Sequence, residues 1–344
     1  MRHIPTLRNI RKFSFVLLIS ALLTFQANAQ KSDQTPPDDV LTKDLLSAPG
    51  PTFHVPTSEF PKHWSLIAYG DMRFTDPTNE KVTNPKVRRW LVGRIASEHP
   101  DAVLLSGDVP YDGSVVNDYT VYHQETIAWR DAKLHVFPAM GNHELHGDEV
   151  REPKNWWNAF PELKGRRWYS VEAKNIYILS LDSNLSLLSG SRQRAWLDDQ
   201  LAHLPKSTEF VFVSLHHPPV ADSIEGTHSH DVRPNEHELA LVLEKQASQS
   251  KPQIIVIAGH IHNYQRFFQN GVTYLVSGGG GAKPYPIART TADKFQDPAF
   301  PNYHYVKFIY DGKALQATMY RVKAPEASEP AWEIKDTFVI PSPR

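Results

Sequence analysis

Val103-Leu104-Leu105-Ser106-Gly107-Asp108-Val109-Pro110-Tyr111 is the stretch against which the rest of this chain is read. An apolar run of strand character stops at Gly107, and a carboxylate follows at once. Continuous apolar strands belong in sheets covered on both faces, and their carboxyl ends are where α/β proteins place ligands. Gly107 permits a turn that a side chain would obstruct, so Asp108 is expected to point into a crevice. A lone Gly-Asp after a strand is an ordinary turn. Here four other strands end in a comparable way.

Upstream, Trp64-Ser65-Leu66-Ile67-Ala68-Tyr69-Gly70 runs into Asp71. Downstream, Leu134-His135-Val136-Phe137-Pro138-Ala139-Met140 leads to Gly141-Asn142-His143-Glu144. The run 210–215 ends in His216-His217-Pro218-Pro219, and 254–258 ends in Gly259-His260-Ile261-His262. Between them, Val87, Trp90, Leu91 and Ile95 have helical spacing. Helical stretches are also expected at about 118–130, around Trp196, Leu197, Leu201 and Leu204, and at about 235–247. Lys174-Asn175 reads as a hairpin turn between 167–171 and 176–181. Asp311-Gly312 reads as another between 305–310 and 315–320. Strands alternating with helices imply an α/β fold with largely parallel pairing. No internal repeat is visible.

The five strand ends carry Asp71, Asp108, Asn142, His216-His217 and His260/His262, all oxygen or imidazole ligand types. Taken singly, each is a plausible turn residue or core histidine; their recurrence points to a metal site. Two divalent or mixed-valence cations about 3.5–4 Å apart clamp the attacking and leaving oxygens of a phosphoryl transfer. Cations that close need an anion between them, and Asp108 is the candidate bridge. Mixed imidazole and carboxylate donors suit zinc, iron or manganese better than magnesium or calcium. His260 and His262, two apart, are expected to share one face of a strand end. His216 and His217 should face opposite sides, so that only one ligates. Gly278–Gly281 does not read as a nucleotide loop, because Ala282-Lys283-Pro284-Tyr285-Pro286 cannot open the helix such a loop needs. It is expected instead to let backbone approach the site.

The order Gly70-Asp71, Gly107-Asp108, Gly141–Glu144, Val213-x-x-His216 and Gly259-His260-x-His262 resembles the calcineurin-like metallophosphoesterase superfamily. Leu181-Asp182-Ser183 and Val276–Gly281 are more weakly similar. Within it, Tyr111 three residues after Asp108, and the run Gly259–Arg266, resemble the purple acid phosphatase branch. The resemblance implies a sandwich of two mixed β-sheets flanked by helices, with a dinuclear metal site at strand C-terminal ends and hydrolysis by metal-bound hydroxide. It implies one metal held by Asp71, Asp108, Tyr111 and His262, and a second held by Asp108, Asn142, His216 and His260. It also implies that His143 faces the substrate phosphate with Glu144 behind it. The expected ions are iron paired with zinc, manganese or iron.

Arg73 departs from the pattern. The superfamily mostly has a His ligand there, and purple acid phosphatases usually have Gly. Arginine stays protonated and is a poor ligand. Either Tyr111 completes the first metal's ligand set or that metal is weakly held. Arg73 is also suited to gripping phosphate oxygens bidentately, beside a third reading as a surface arginine before a turn. For His228 and His230 two readings stay open: acids placed behind the site, or loop histidines in water.

The N-terminus reads as an address. Arg2, Arg8, Arg11 and Lys12 precede an apolar run from Phe13 to Phe25 and then Ala27-Asn28-Ala29. That order is expected of a secretory signal, residues 1–29, since thirteen apolar residues fall short of the roughly 20 a membrane span needs. Residues 30–62 read as a Pro/Ser-rich linker and 63–344 as the metallophosphoesterase domain. Without residues 1–29 the chain has 33 Lys+Arg against 38 Asp+Glu, a net −5, which gives no electrostatic footprint for nucleic acid. Cysteine is absent, which excludes disulfides, thiolate ligands and a lipid-modified N-terminal Cys. The expected product is a periplasmic or secreted phosphomonoesterase acting on a small phosphorylated substrate, without a membrane anchor after cleavage. His143, Asp108 and Arg73 are its candidate catalytic residues. A phosphodiesterase acting on cyclic nucleotides or glycerophosphodiesters, and an exported binding protein with a relic site, remain as alternatives.

Overall fold

A strand that is apolar at every position must be buried on both sides, and the chain meets that demand by stacking two sheets and covering them with helices. The computed structural model describes residues 52–147, 152–227 and 230–343; the expected signal segment and His228 lie outside them. In chain order the strands are β1 (Phe53–Val55), β2 (Trp64–Tyr69), β3 (Ala102–Ser106), β4 (His135–Ala139), β5 (Tyr169–Ala173), β6 (Ile176–Ser180), β7 (Phe210–Ser214), β8 (Gln253–Ala258), β9 (Tyr264–Gln269), β10 (Val272–Ser277), β11 (His304–Tyr310), β12 (Ala314–Val322) and β13 (Trp332–Pro341). The helices are α1 (Pro85–Ser97), α2 (Val116–Glu125), α3 (Ile127–Asp131), α4 (Glu152–Ala159), α5 (Arg192–Ala202) and α6 (Pro234–Gln249).

One sheet has seven strands in the order β1-β5-β6-β7-β8-β10-β9, and the other has six in the order β13-β12-β11-β2-β3-β4. Both are mixed. Pairing is parallel through β2-β3-β4 and through β6-β7-β8-β10, and antiparallel at β5-β6, β9-β10 and from β2 out to β13. The expected sandwich of two mixed sheets flanked by helices is what the chain forms.

Alternation along β7 shows why its run is apolar throughout. Phe210 and Phe212 point into the core between the sheets, whereas Val211 and Val213 join Leu197 and Leu201 of α5 and Leu239 and Leu243 of α6. Phe212 meets Phe308 of the other sheet edge to face at 5.3 Å. Truncating such a buried ring costs about 3–5 kcal/mol.

Several elements differ from expectation for local reasons. The helix expected over about 118–130 is broken at Thr126, whose hydroxyl donates to Tyr122 O at 2.6 Å and competes with the helical ladder. Asn270 and Gly271, with φ of 45° and 86°, turn the unforeseen β9-β10 hairpin. Within the stretch expected as linker, Phe53–Val55 pairs parallel with β5. The C-terminal edge strand β13 was legible only as a β-rich region. No helix among the described residues is long and apolar enough to cross a membrane.

Candidate metal centre

Both sheets deliver their chemistry at the carboxyl ends of their parallel strands. From the six-stranded sheet come Asp71 after β2, Asp108 after β3 and Asn142 after β4. From the seven-stranded sheet come His216 after β7, and His260 and His262 after β8. The backbone continues the sheet pairing beyond the strands: Asp71 N donates to Gly107 O, Arg73 N to Asp108 O and Phe74 N to Val109 O. Gly107 turns at φ 88°, and a Cβ there would lie 2.7 Å from His216 Nδ1. Gly259 is needed for another reason, since a Cβ would stand 2.4 Å from Asp71 Oδ2. Asp71, Arg73, Asp108 and His260 all have φ between 49° and 71°. Non-glycine residues rarely adopt that conformation, and such strain collects at functional sites.

The donors converge. His216 Nε2 lies 2.9 Å from Asn142 Oδ1, 3.2 Å from Asp108 Oδ1 and 3.2 Å from His260 Nδ1. His262 Nε2 lies 3.5 Å from Asp71 Oδ1. Among the described residues, Asp71/Asp108/His216 and His216/His217/His260 each have ligand atoms within 4.8 Å of one another.

Tautomers decide what this convergence means. His216 Nδ1 sits 2.9 Å from Ser106 O, and His262 Nδ1 sits 2.6 Å from Lys283 O. A carbonyl only accepts, so each Nδ1 carries its hydrogen and each Nε2 presents a lone pair. Burial holds both imidazoles below their ordinary pKa and therefore neutral. His262 Nε2 is buried without a hydrogen-bond partner. The His216 lone pair confronts the oxygens of Asn142 and Asp108. Acceptors turned on acceptors are what a cation resolves, and Nδ1–H donation to a carbonyl is how metal-binding imidazoles are commonly oriented. The donor set fits metal.

The carboxylates agree. Burial, then the charge of Asp108, raises Asp71 well above the usual carboxylate range, as expected of an anion short of positive charge. Burial alone would raise Asp108 too, but Arg73 and the His143 backbone N–H work against it, and this carboxyl lies below its ordinary value. Glu144, fully buried, accepts from Asp108 N, Val109 N and Gly141 N at 3.1, 2.8 and 2.9 Å. Burial and Asp108 push it up to about 8. It clamps the loops that carry the site.

His143 donates its backbone N–H to Asp108 Oδ1 at 3.1 Å, and its Nδ1 lies 2.5 Å from Tyr111 O. Its Nε2 is turned to the same aspartate, 3.7 Å from Oδ2. Burial lowers its pKa to about 3 despite the pull of Asp108. The Tyr111 ring packs 5.5 Å from that of His143. Arg73 is no surface arginine: its side chain is 15% exposed and Nη2 lies 3.3 Å from Asp108 Oδ2.

One strand-based expectation fails here, because its strand ends sooner than it requires. β7 stops at Ser214, so His216 and His217 do not alternate; the His217 ring packs 4.3 Å from His260. β8 stops at Ala258, and His260 turns at φ 71°, so His260 meets His216 while His262 meets Asp71. Ser183, in the weakly similar run Leu181-Asp182-Ser183, places Oγ 2.8 Å from His217 Nδ1. Sequence reasoning missed two further neighbours: the His146 ring lies 4.0 Å from that of His143, and Tyr285 stacks on His262 at 4.4 Å. Spacing carries no signal for these two, because each arrives on a loop. His230 packs 4.3 Å from His260, which places it beside the site. Gly280 N donates to Gly70 O and Ala282 N to Asp71 O, so the 278–281 turn brings backbone to the site as expected.

The model of the calcineurin-like phosphoesterases matches residues 67–264, more than half of the chain, and spans all five strand ends. The chain belongs to this family. Its relatives include a probable purple acid phosphatase 20 of Arabidopsis thaliana, 27% identical over 264 residues, covering 72% of this chain and 57% of that protein. A probable glycerophosphodiester phosphodiesterase of Arcobacter nitrofigilis is 27% identical over 185 residues, covering 52% of this chain and 62% of that one. This phosphoesterase-family chain thus spans less than two thirds of either relative. Purple acid phosphatase PPD1 from yellow lupin (Lupinus luteus) seeds shares its fold, with a TM-score of 0.62 at 18% identity over 82% of this chain and 55% of that one.

Proposed function

We propose that this chain is an exported, dinuclear metal-dependent phosphoesterase, and that it works as a phosphomonoesterase of the purple acid phosphatase kind. One observation carries the metal reading: His216 and His262 both give Nδ1–H to a backbone carbonyl and aim a bare Nε2 at a buried carboxylate. One ion would be held by Asp71, Asp108, Tyr111 and His262, the other by Asp108, Asn142, His216 and His260. Iron with zinc, manganese or a second iron suits these donors. When bound, the pair neutralises phosphate charge and activates water.

The chain's own residues do the rest. Asp108 supplies the shared anion, kept in place by the His143 N–H on Oδ1 and by Glu144 beneath its backbone. His143 stands next to the reacting group, fixed by Tyr111 O, and stabilises charge or passes a proton to the leaving oxygen. Arg73 offers guanidinium donors to phosphate. The export reading rests on residues 1–29.

The Arcobacter relative favours a second reading, a phosphodiesterase. Rates on 4-nitrophenyl phosphate and bis(4-nitrophenyl) phosphate, before and after chelation, separate the readings. Faster monoester hydrolysis that chelator abolishes and added metal restores is expected. A faster diester would favour the second reading. Inertness toward both esters with metal restored would leave a binding protein with a relic site.

A further inference from the structure

Arg73 is over-determined at its backbone and under-satisfied at its tip. Its N–H donates to Asp108 O at 2.9 Å, and its carbonyl accepts from Arg88 Nη1 at 3.0 Å. Arg88 is fully buried, pairs through Nε and Nη2 with both oxygens of Glu125 at 2.9 and 2.8 Å, and lies over the Phe74 ring. This framework holds Arg73 at φ 49°. The guanidinium itself has one long contact to Asp108 Oδ2, at 3.3 Å, and its buried Nε has no partner. A buried N–H of a charged group without an acceptor is costly unless something else supplies one.

Tyr285 lies near the guanidinium: burial raises its phenol above the ordinary range, and the Arg73 charge pulls the other way. Tyr285 is itself fixed: its N–H donates to His262 O at 3.1 Å, its carbonyl accepts from Asn263 Nδ2 at 2.5 Å, and its ring stacks on His262 at an interplanar angle of 16°. Loop 282–286 thereby holds this phenol against His262, near the guanidinium on the opposite sheet.

The idle donor, Arg73 Nε–H, is chemistry suited to an oxyanion. A phosphomonoester dianion has three terminal oxygens, and a diester monoanion has two. Where the monoester offers its third terminal oxygen, the diester carries a weaker, alkylated ester oxygen. We propose that Arg73 binds that third terminal oxygen and so selects phosphomonoesters over diesters. The proposal rests on the phosphoesterase reading above and names its substrate class.

Calorimetry on metal-loaded protein tests it with two probes, inorganic phosphate and dimethyl phosphate, alongside rates on the two nitrophenyl esters. Arg73→Ala is expected to weaken inorganic phosphate by roughly ten- to hundredfold, the worth of charge-assisted hydrogen bonds, and to leave dimethyl phosphate nearly unchanged. Arg73→Lys should recover part of the loss, and added guanidinium should restore monoester turnover in Arg73→Ala. Bound metal and melting temperature should match wild type in both variants. Equal weakening of both probes, or none, overturns the proposal. So does a gain of a metal equivalent in Arg73→Ala, which would make Arg73 a stand-in for a cation. Wild type inert toward both esters would overturn the parent reading as well, whereas an active wild type with unmoved selectivity in the variants overturns this inference alone.

Discussion

The two sheets make unlike contributions to one site. The six-stranded sheet brings oxygen and charge: Asp71, Asp108, Asn142 and the cationic Arg73. The seven-stranded sheet brings His216, His260 and His262, whose imidazoles burial keeps neutral. Neither side is electrostatically complete. The carboxylate side lacks positive charge, as the raised Asp71 shows, and the imidazole side presents lone pairs without acids. Closing the sandwich places both deficits at one point, so a site for cations is a product of sheet packing. Substitutions on the two sides should therefore fail differently.

The largest effect belongs on the carboxylate side. Asp108→Asn replaces the proposed shared anion with a neutral amide. It should cost more than the roughly 10–100-fold that even outer partners of metal ligands cost, and excess metal should not repair it. Wild-type turnover in this variant would remove the bridge. His143→Ala, on the same side but outside the ligand set, should keep its metal and lose roughly 10²–10⁴-fold in rate. The loss should shrink for esters with good leaving groups; a loss that ignores the leaving group would assign His143 a purely electrostatic role.

On the imidazole side the damage should be repairable. His262→Gly removes a proposed neutral ligand without changing the charge of the site, so added imidazole or excess metal should restore part of the activity. Failure of both, with the protein folded, would mean that the sheets do not divide the labour as described. The smallest effect on rate is expected at Tyr111. A phenol with an ordinary pKa of about 10 binds near neutral pH only to a strong Lewis acid, ferric iron above all. Oxidised, iron-loaded wild type should be pink to violet, and Tyr111→Phe should be bleached while still folded. An unchanged spectrum takes Tyr111 out of the ligand set.

What could be read beforehand divides along similar physical lines. The five strand ends were legible because a parallel strand buried on both faces is apolar throughout, and the residue that breaks the run announces itself, as Asp108 does after Gly107. Alternation misled at His217 because it holds only while the strand lasts, and β7 ends at Ser214. Tyr285 carried no signal at all. It stacks on His262 and comes near Arg73 from a loop without periodicity, and Arg73 is more than two hundred residues away in sequence. The broken helix at Thr126 and the edge strands β1 and β13 were obscured by hydrogen bonds and packing that local pattern does not encode.

Elemental analysis of the folded protein, reconstituted with iron and zinc and freed of loose metal, tests the central claim most directly. Two equivalents per chain in wild type, with at least one lost in Asp108→Asn, is the result this account predicts. One equivalent or fewer in wild type, or two retained in Asp108→Asn, would contradict a dinuclear centre bridged by Asp108.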